Sequence, residues 1–185
     1  MAELTLLGIC GSLRRGSYNR LLMLEAGRAF GGRLVEGEIR FPLFDRDIET
    51  ETGIPEAVER LAEQIRAADA VILVTPEYNQ SFSSPMKNAI DWLSRVEGNP
   101  WAKKPVAILS AAAGRTGGAR AQYALRLAVN KFRMRLLTAP EVLVANCAKE
   151  FDAEGRLLGE RYRKALSELM GDLRAEALRP AMAAE

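Results

Sequence analysis

Residues 70–75 read Ala-Val-Ile-Leu-Val-Thr, apolar on both faces of an extended segment. Such a strand needs cover above and below, which the centre of a parallel sheet flanked by helices supplies. Pro76 ends it. Three other runs share this character: residues 4–10, residues 106–110 and residues 141–145. Residues 33–41 alternate instead. Val35, Ile39 and Phe41 fall on one side, with Leu34, Glu36, Glu38 and Arg40 on the other. That half-polar pattern suits an edge strand.

Helical patterns separate these runs. The first helix is predicted from about Asn19 to Phe30, with Leu22, Ala26, Ala29 and Phe30 on one face and Gly31-Gly32 as its stop. A second follows Pro55, its stripe formed by Ile54, Val58, Leu61 and Ile65. Ser84-Pro85 reads as the cap and first residue of a third, which runs to about Arg95 with Met86, Ile90 and Leu93 inward. The fourth places Ala121, Leu125, Ala128 and Phe132 together. The last begins near Gly159 and aligns Tyr162, Leu166, Leu169 and Leu173. Residues 45–53 read as an acidic loop, and the tail after Pro180 is expected to fray.

Five strands alternating with five helices predict an α/β chain: one domain over residues 1–185, a doubly wound parallel sheet, helices on both faces. The alternation does not contain the strand order. The flavodoxin-like order 2-1-3-4-5 accommodates the length and an edge second strand, and puts ligands beyond the carboxyl ends of the first and third strands.

The composition excludes much. Hydrophobic residues at 48% and charged residues at 27% belong to an ordinary globule. A net charge of +2, with lysines and arginines dispersed, does not call for nucleic acid. No run reaches the roughly 18 apolar residues of a membrane span, and the N-terminus does not read as a signal peptide. The two cysteines, Cys10 and Cys147, have no metal or redox spacing and read as small buried residues of a reducing, cytoplasmic compartment. The chain contains no histidine. That removes Ser-His and Cys-His nucleophile pairs and most transition-metal sites, so catalysis must rest on other side chains or a cofactor.

The loop after the first strand is the densest in donors. Gly11-Ser12-Leu13-Arg14-Arg15-Gly16-Ser17-Tyr18-Asn19 leads from strand to helix, where helix amides and the helix dipole favour an anion. It lacks the Gly-Lys-Ser/Thr ending of a Walker loop, and glycines 8, 11 and 16 do not space as Gly-x-Gly-x-x-Gly. Hydroxyls and a guanidinium suit a terminal phosphate monoester with three oxygens to satisfy. After the third strand, Pro76, Glu77, Tyr78 and Asn79 offer main-chain donors and acceptors, an aromatic face and an amide. Residues 110–118, small and glycine-rich, let backbone approach a planar ligand closely. Each loop taken alone is also compatible with an ordinary turn before a helix.

Together they are specific. The first loop, the stretch 76–79, the following Lys87-Asn88-Ala89-Ile90-Asp91-Trp92-Leu93-Ser94-Arg95, and Gly117-Gly118-Ala119-Arg120-Ala121-Gln122-Tyr123-Ala124-Leu125-Arg126 resemble the NADPH-dependent FMN reductase family. The bacterial quinone, chromate and azo-dye reductases are its most similar branch. The resemblance spans residues 4–145. It implies that Ser12, Arg14, Ser17 and Asn19 hold the FMN phosphate, with Leu13, Arg15, Gly16 and Tyr18 as loop backbone. It implies that Pro76, Glu77, Tyr78 and Asn79 hold the isoalloxazine, and that Ser110, Ala111, Ala112 and Gly114 flank its other edge. Two departures stand out. Ser84-Pro85 occupies positions where relatives carry glycine, and Ala111-Ala112-Ala113 lacks their serine hydroxyls.

The implied activity is an FMN-dependent oxidoreductase that takes hydride from NADPH or NADH and passes two electrons to a quinone, azo, chromate or flavin acceptor. The alternative is a flavodoxin-type electron carrier, although such carriers are strongly acidic and this chain is not. A homo-dimer or homo-tetramer is expected, with Phe82, Met86, Trp92 and Trp101 as interface material because not all four fit one core.

Overall fold

The computed structural model describes residues 3–179. Its main sheet contains β1 (Thr5–Cys10), β2 (Arg33–Gly37), β3 (Ala70–Val74), β6 (Pro105–Ala111) and β7 (Arg135–Val144), all parallel, in the order β2-β1-β3-β6-β7. Counting only these five, the order is the expected 2-1-3-4-5. The tail after Pro180 lies outside the described residues.

Side-chain alternation along the central strands builds two cores. Leu7, Ile9, Val71, Leu73, Val106 and Ile108 point to one face, under α3 (Glu56–Ala67), α4 (Ser84–Leu93) and α5 (Ala119–Val129). Leu6, Ile72, Val74, Ala107 and Leu109 point to the other, under α1 (Tyr18–Phe30) and α6 (Glu160–Leu178). Every residue of β3 is buried, as its two-faced apolar run requires. β2 pairs with β1 alone and is the edge.

Several elements differ from the sequence reading. Residues 45–53 are mostly helix, α2 (Arg46–Thr52): Asp45 caps it by accepting from the Asp47 amide at 2.8 Å, and Asp47 and Glu49 occupy its first turn. None of its residues is buried, so it left no apolar stripe in the sequence. The cap of α4 is Ser83, one residue earlier than expected; its Oγ accepts from the Met86 amide. Val129, rather than Ala128, completes the buried stripe of α5. Strand β7 starts six residues before the expected Glu141. Residues 135–137 pair with β6 ahead of an irregularity in register near Ile108, and Pro140 had hidden that continuity.

Met86, Trp92 and Trp101 all pack inside, at 1%, 0% and 1% exposure, which corrects their assignment as interface material. Trp92 donates its indole N–H to the Pro42 carbonyl at 2.8 Å and meets the Phe44 ring edge-on. Of the four, only Phe82 stays partly open. Both cysteines are free thiols; Cys147 is buried and Cys10 half-buried.

Candidate functional site

A two-stranded antiparallel ribbon, β4 (Glu77–Tyr78) and β5 (Ser81–Phe82), stands at the carboxyl end of β3. Its turn residues, Asn79 and Gln80, have φ of 49° and 65°. Positive φ at both central positions is what a two-residue type I′ hairpin demands. The sequence reading placed only a turn here.

Beside the ribbon, the ends of β1, β3 and β6 enclose a cavity of about 200 Å³. From the first loop, Ser12, Arg14, Ser17, Tyr18 and Asn19 line it. Pro76, Glu77 and Tyr78 join from the second, and Ala111 and Ala112 from the third. The structure therefore brings together ten of the residues singled out from sequence. It leaves others outside the lining. Leu13, Arg15 and Gly16 are exposed on the loop, and Asn79 borders a neighbouring groove. Ser110 is fully buried; its hydroxyl donates to the Gly117 carbonyl at 2.6 Å and accepts from Gln122 Nε2 at 3.0 Å. The Gly114 carbonyl accepts from the Gly117 and Asn146 amides, which shapes the loop.

Cys147 and Ala148, in a short 3₁₀ turn after β7, also line the cavity and were missed. They sit beyond the carboxyl end of a sheet strand, and that rule of ligand placement would have flagged them.

Three side chains lock the loops to one another. Ser83 Oγ donates to the Gly11 carbonyl at 2.6 Å, tying the first loop to the second. Gly11 must lack a side chain for this, because a Cβ would lie 2.6 Å from Ser83 Oγ. Asn19 joins the first loop to the third through the backbone of Ala111, at 2.8 and 2.9 Å. Glu77 joins the second loop to the start of α5, just after the third loop. Its Oε2 accepts from the Arg120 and Ala121 amides at 3.1 and 3.4 Å.

What remains available for a ligand is therefore narrower than the list of polar residues. Asn19 is 4% exposed and its amide is already engaged. Ser17 caps α1 by accepting from the Arg20 amide at 3.3 Å, and its proton, which also reaches the Cys10 sulfur, can turn to a ligand. The Ser12 hydroxyl has no partner among the described residues, and Arg14 forms no ion pair among them, whereas Arg20 is bound to Glu36 at 2.7 Å. Two hydroxyls, one guanidinium and the N-terminal amides of α1 thus form a donor cluster for one compact anion.

Burial pushes the Cys147 thiol above its ordinary value, against the pull of neighbouring amides and of Arg14. Cys10 is pushed up likewise, by burial, against hydrogen bonding from the Ser12 backbone and the Ser17 side chain. Both stay protonated near neutrality and are poor nucleophiles. Among the described residues no cluster of three His, Cys, Asp or Glu side chains could hold a metal ion.

On the far side of the ribbon, an open groove of about 1000 Å³ runs between it, α4 and residues 43–44. Glu77 and Tyr78 border both spaces.

The fold recurs in known proteins. A NAD(P)H-dependent FMN reductase of Pseudomonas aeruginosa is 46% identical over 169 residues, 90% of this chain and 91% of that protein. A quinone reductase of Escherichia coli is 43% identical over 145 residues, 76% of this chain and 77% of that one. The solved structure of FerB, a flavoenzyme NAD(P)H:(acceptor) oxidoreductase from Paracoccus denitrificans, matches with a TM-score of 0.84 at 30% identity, covering 95% of this chain and 97% of that chain. A family model described as NADPH-dependent FMN reductase matches residues 4–149. With that stretch ending just past Cys147, at the last turn of the cavity wall, the chain belongs to the NADPH-dependent FMN reductase family.

Proposed function

We propose that residues 1–185 form one FMN-binding unit that oxidises NADPH or NADH and reduces a small acceptor. The observation that carries this reading is the donor cluster of Ser12, Arg14 and Ser17 at the N-terminus of α1. Its chemistry fits a phosphate monoester, with hydroxyl and guanidinium donors for three oxygens. A cavity of about 200 Å³ is smaller than the ~300–1,000 Å³ of whole cofactor pockets, so a ring-bearing ligand must extend past Tyr78 toward the groove.

When bound, FMN supplies the redox chemistry itself, accepting hydride from a reduced nicotinamide and yielding two electrons to the acceptor. The protein's part is placement. Ser12, Arg14 and Ser17 anchor the phosphate, with Leu13, Arg15, Gly16 and Tyr18 as the loop that presents them, and Asn19 braces that loop from beneath. Pro76, Glu77, Tyr78 and Asn79 frame the ring on one side and Ala111, Ala112 and Gly114 on the other, with Ser110 as internal support. The alanines contribute apolar contact rather than hydroxyls, their own N–H and C=O groups being engaged within the protein.

The acceptor is a quinone, azo compound, chromate or flavin. One open face serves nicotinamide and acceptor in turn, which gives ping-pong kinetics. The active form is a homo-dimer or homo-tetramer. Support comes from Tyr78 and Leu43, 48% and 78% exposed, which both border the groove. The free thiols fit a cytoplasmic, reducing compartment.

Steady-state oxidation of NADPH by the FMN-loaded protein, with quinone varied, tests the reading. Parallel double-reciprocal lines and FMN-dependent turnover are expected. Intersecting lines exclude the shared face, and absence of turnover excludes the enzyme.

A further inference from the structure

Helix α5 begins without a cap of its own. Gly118 occupies its N-cap position with φ of 93°, and no side chain there bonds the first turn. A side chain is sterically barred as well. A Cβ on Gly118 would lie 2.7 Å from both Cβ and Oγ of Ser110, and one on Gly117 would lie 2.4 Å from the Leu143 carbonyl. The close packing that brings α5 against the end of β6 therefore removes the usual Ser, Thr, Asp or Asn from this helix start.

The missing acceptor comes from a different loop. Glu77 reaches across from β4, and its Oε2 accepts from the amides of Arg120 and Ala121. These are the second and third residues of α5, the positions a local N-cap side chain ordinarily serves. The Glu77 side chain is only 14% exposed, and its other oxygen lies 3.9 Å from the Arg120 guanidinium. A carboxylate at a helix N-terminus is also favoured by the helix dipole. The same residue begins the ribbon whose next member, Tyr78, lines the cavity.

We infer that Glu77 is a positioning residue whose carboxylate, acting as the cap of α5 from the far side of the site, sets the separation between the ribbon and the loop 111–114. This rests on the flavin reading given above and deepens it. The carboxylate acts through the backbone it holds, not on the ligand. Among the described residues no other hydrogen bond joins the ribbon to α5, so without it the slot for a planar ring loosens. The phosphate end, on the other side of the cavity, stays as it was.

Three variants separate reach from charge. In Glu77→Gln the side-chain carbonyl keeps its length and still accepts from both amides. In Glu77→Asp the charge stays and the reach is lost. Glu77→Ala removes both. Binding of FMN and of riboflavin to each apo-protein is read by quenching of flavin fluorescence, beside wild type. Glu77→Asp and Glu77→Ala are expected to weaken both flavins by about tenfold, whereas Glu77→Gln recovers affinity to within about threefold of wild type. If Glu77→Ala does not fold, the Asp and Gln pair alone carries the comparison. Asp equal to wild type with Gln impaired overturns the inference, as does a loss confined to FMN or no loss in any variant. Wild type that binds neither flavin refutes the flavin reading itself, a different result from any of these.

Discussion

The side-chain amide of Asn19 holds both backbone groups of Ala111, Nδ2 donating to its carbonyl at 2.8 Å and Oδ1 accepting from its N–H at 2.9 Å. Ala111 is the last residue of β6 and Asn19 lies in the first turn of α1, so one side chain joins two loops of the site. Both partners are buried, and truncation leaves a donor and an acceptor without water. Asn19→Ala is expected to destabilise the protein by about 2–4 kcal/mol in urea unfolding and to weaken FMN and riboflavin alike. A loss of FMN affinity with unchanged stability would mean that Asn19 binds phosphate directly.

Arg14 behaves in the opposite way. It is exposed, lines the cavity and forms no ion pair among the described residues. Arg14→Ala removes a charge-assisted bond of roughly 1.5–3 kcal/mol, so FMN weakens by about tenfold or more. Riboflavin affinity and the urea midpoint stay near wild type. Equal losses for the two flavins would remove Arg14 from the phosphate.

At the tip of the ribbon, Gln80 holds φ of 65° where glycine is the favoured residue. The left-handed region costs a side-chain-bearing residue about 1–2 kcal/mol, part of which glycine returns as chain entropy. Gln80→Gly should raise stability by about 0.5–1 kcal/mol. A lower urea midpoint in this variant would show that Gln80 contributes a contact outweighing its backbone strain.

The two thiols set an alkaline limit. Their ordinary value is 9.0, and burial raises both in the folded protein. Below that value each thiol is protonated in folded and unfolded chains, so its contribution to stability is full and constant. As pH rises past it, only the unfolded chain ionises and stability falls, until the folded thiols titrate too. The Cys10→Ala, Cys147→Ala double variant should therefore lose stability less steeply than wild type above about pH 9. Identical alkaline slopes would contradict buried, neutral thiols.

Much of the architecture was legible because it rests on local periodicity. The two-faced run of β3, the edge pattern of β2 and the donor-rich loop after β1 all translate directly into their places. The misreadings have physical causes. Helix α2 buries nothing, so only its Asp45 cap and acidic first turn marked it. The ribbon comprises two residues per strand and a turn without glycine, too short for any alternation to register. The roles of Asn19, Ser110 and Glu77 turn on partners at Ala111, Gln122 and Arg120, which are up to 92 positions distant. Each was recognised as polar and near the site, yet whether it faces ligand or backbone is decided by tertiary contacts that no local pattern encodes.

Hydride transfer from a nicotinamide cofactor onto the protein's own flavin separates a reductase from an electron carrier. The direct measurement is anaerobic mixing of the FMN-loaded protein with NADPH, or with NADH, while the visible flavin absorption is followed. The band is expected to bleach as the protein-bound flavin is reduced, and a quinone added without further NADPH is expected to restore it. A protein that holds FMN firmly but is bleached by dithionite alone, and by neither nicotinamide, would be an electron carrier and not a reductase.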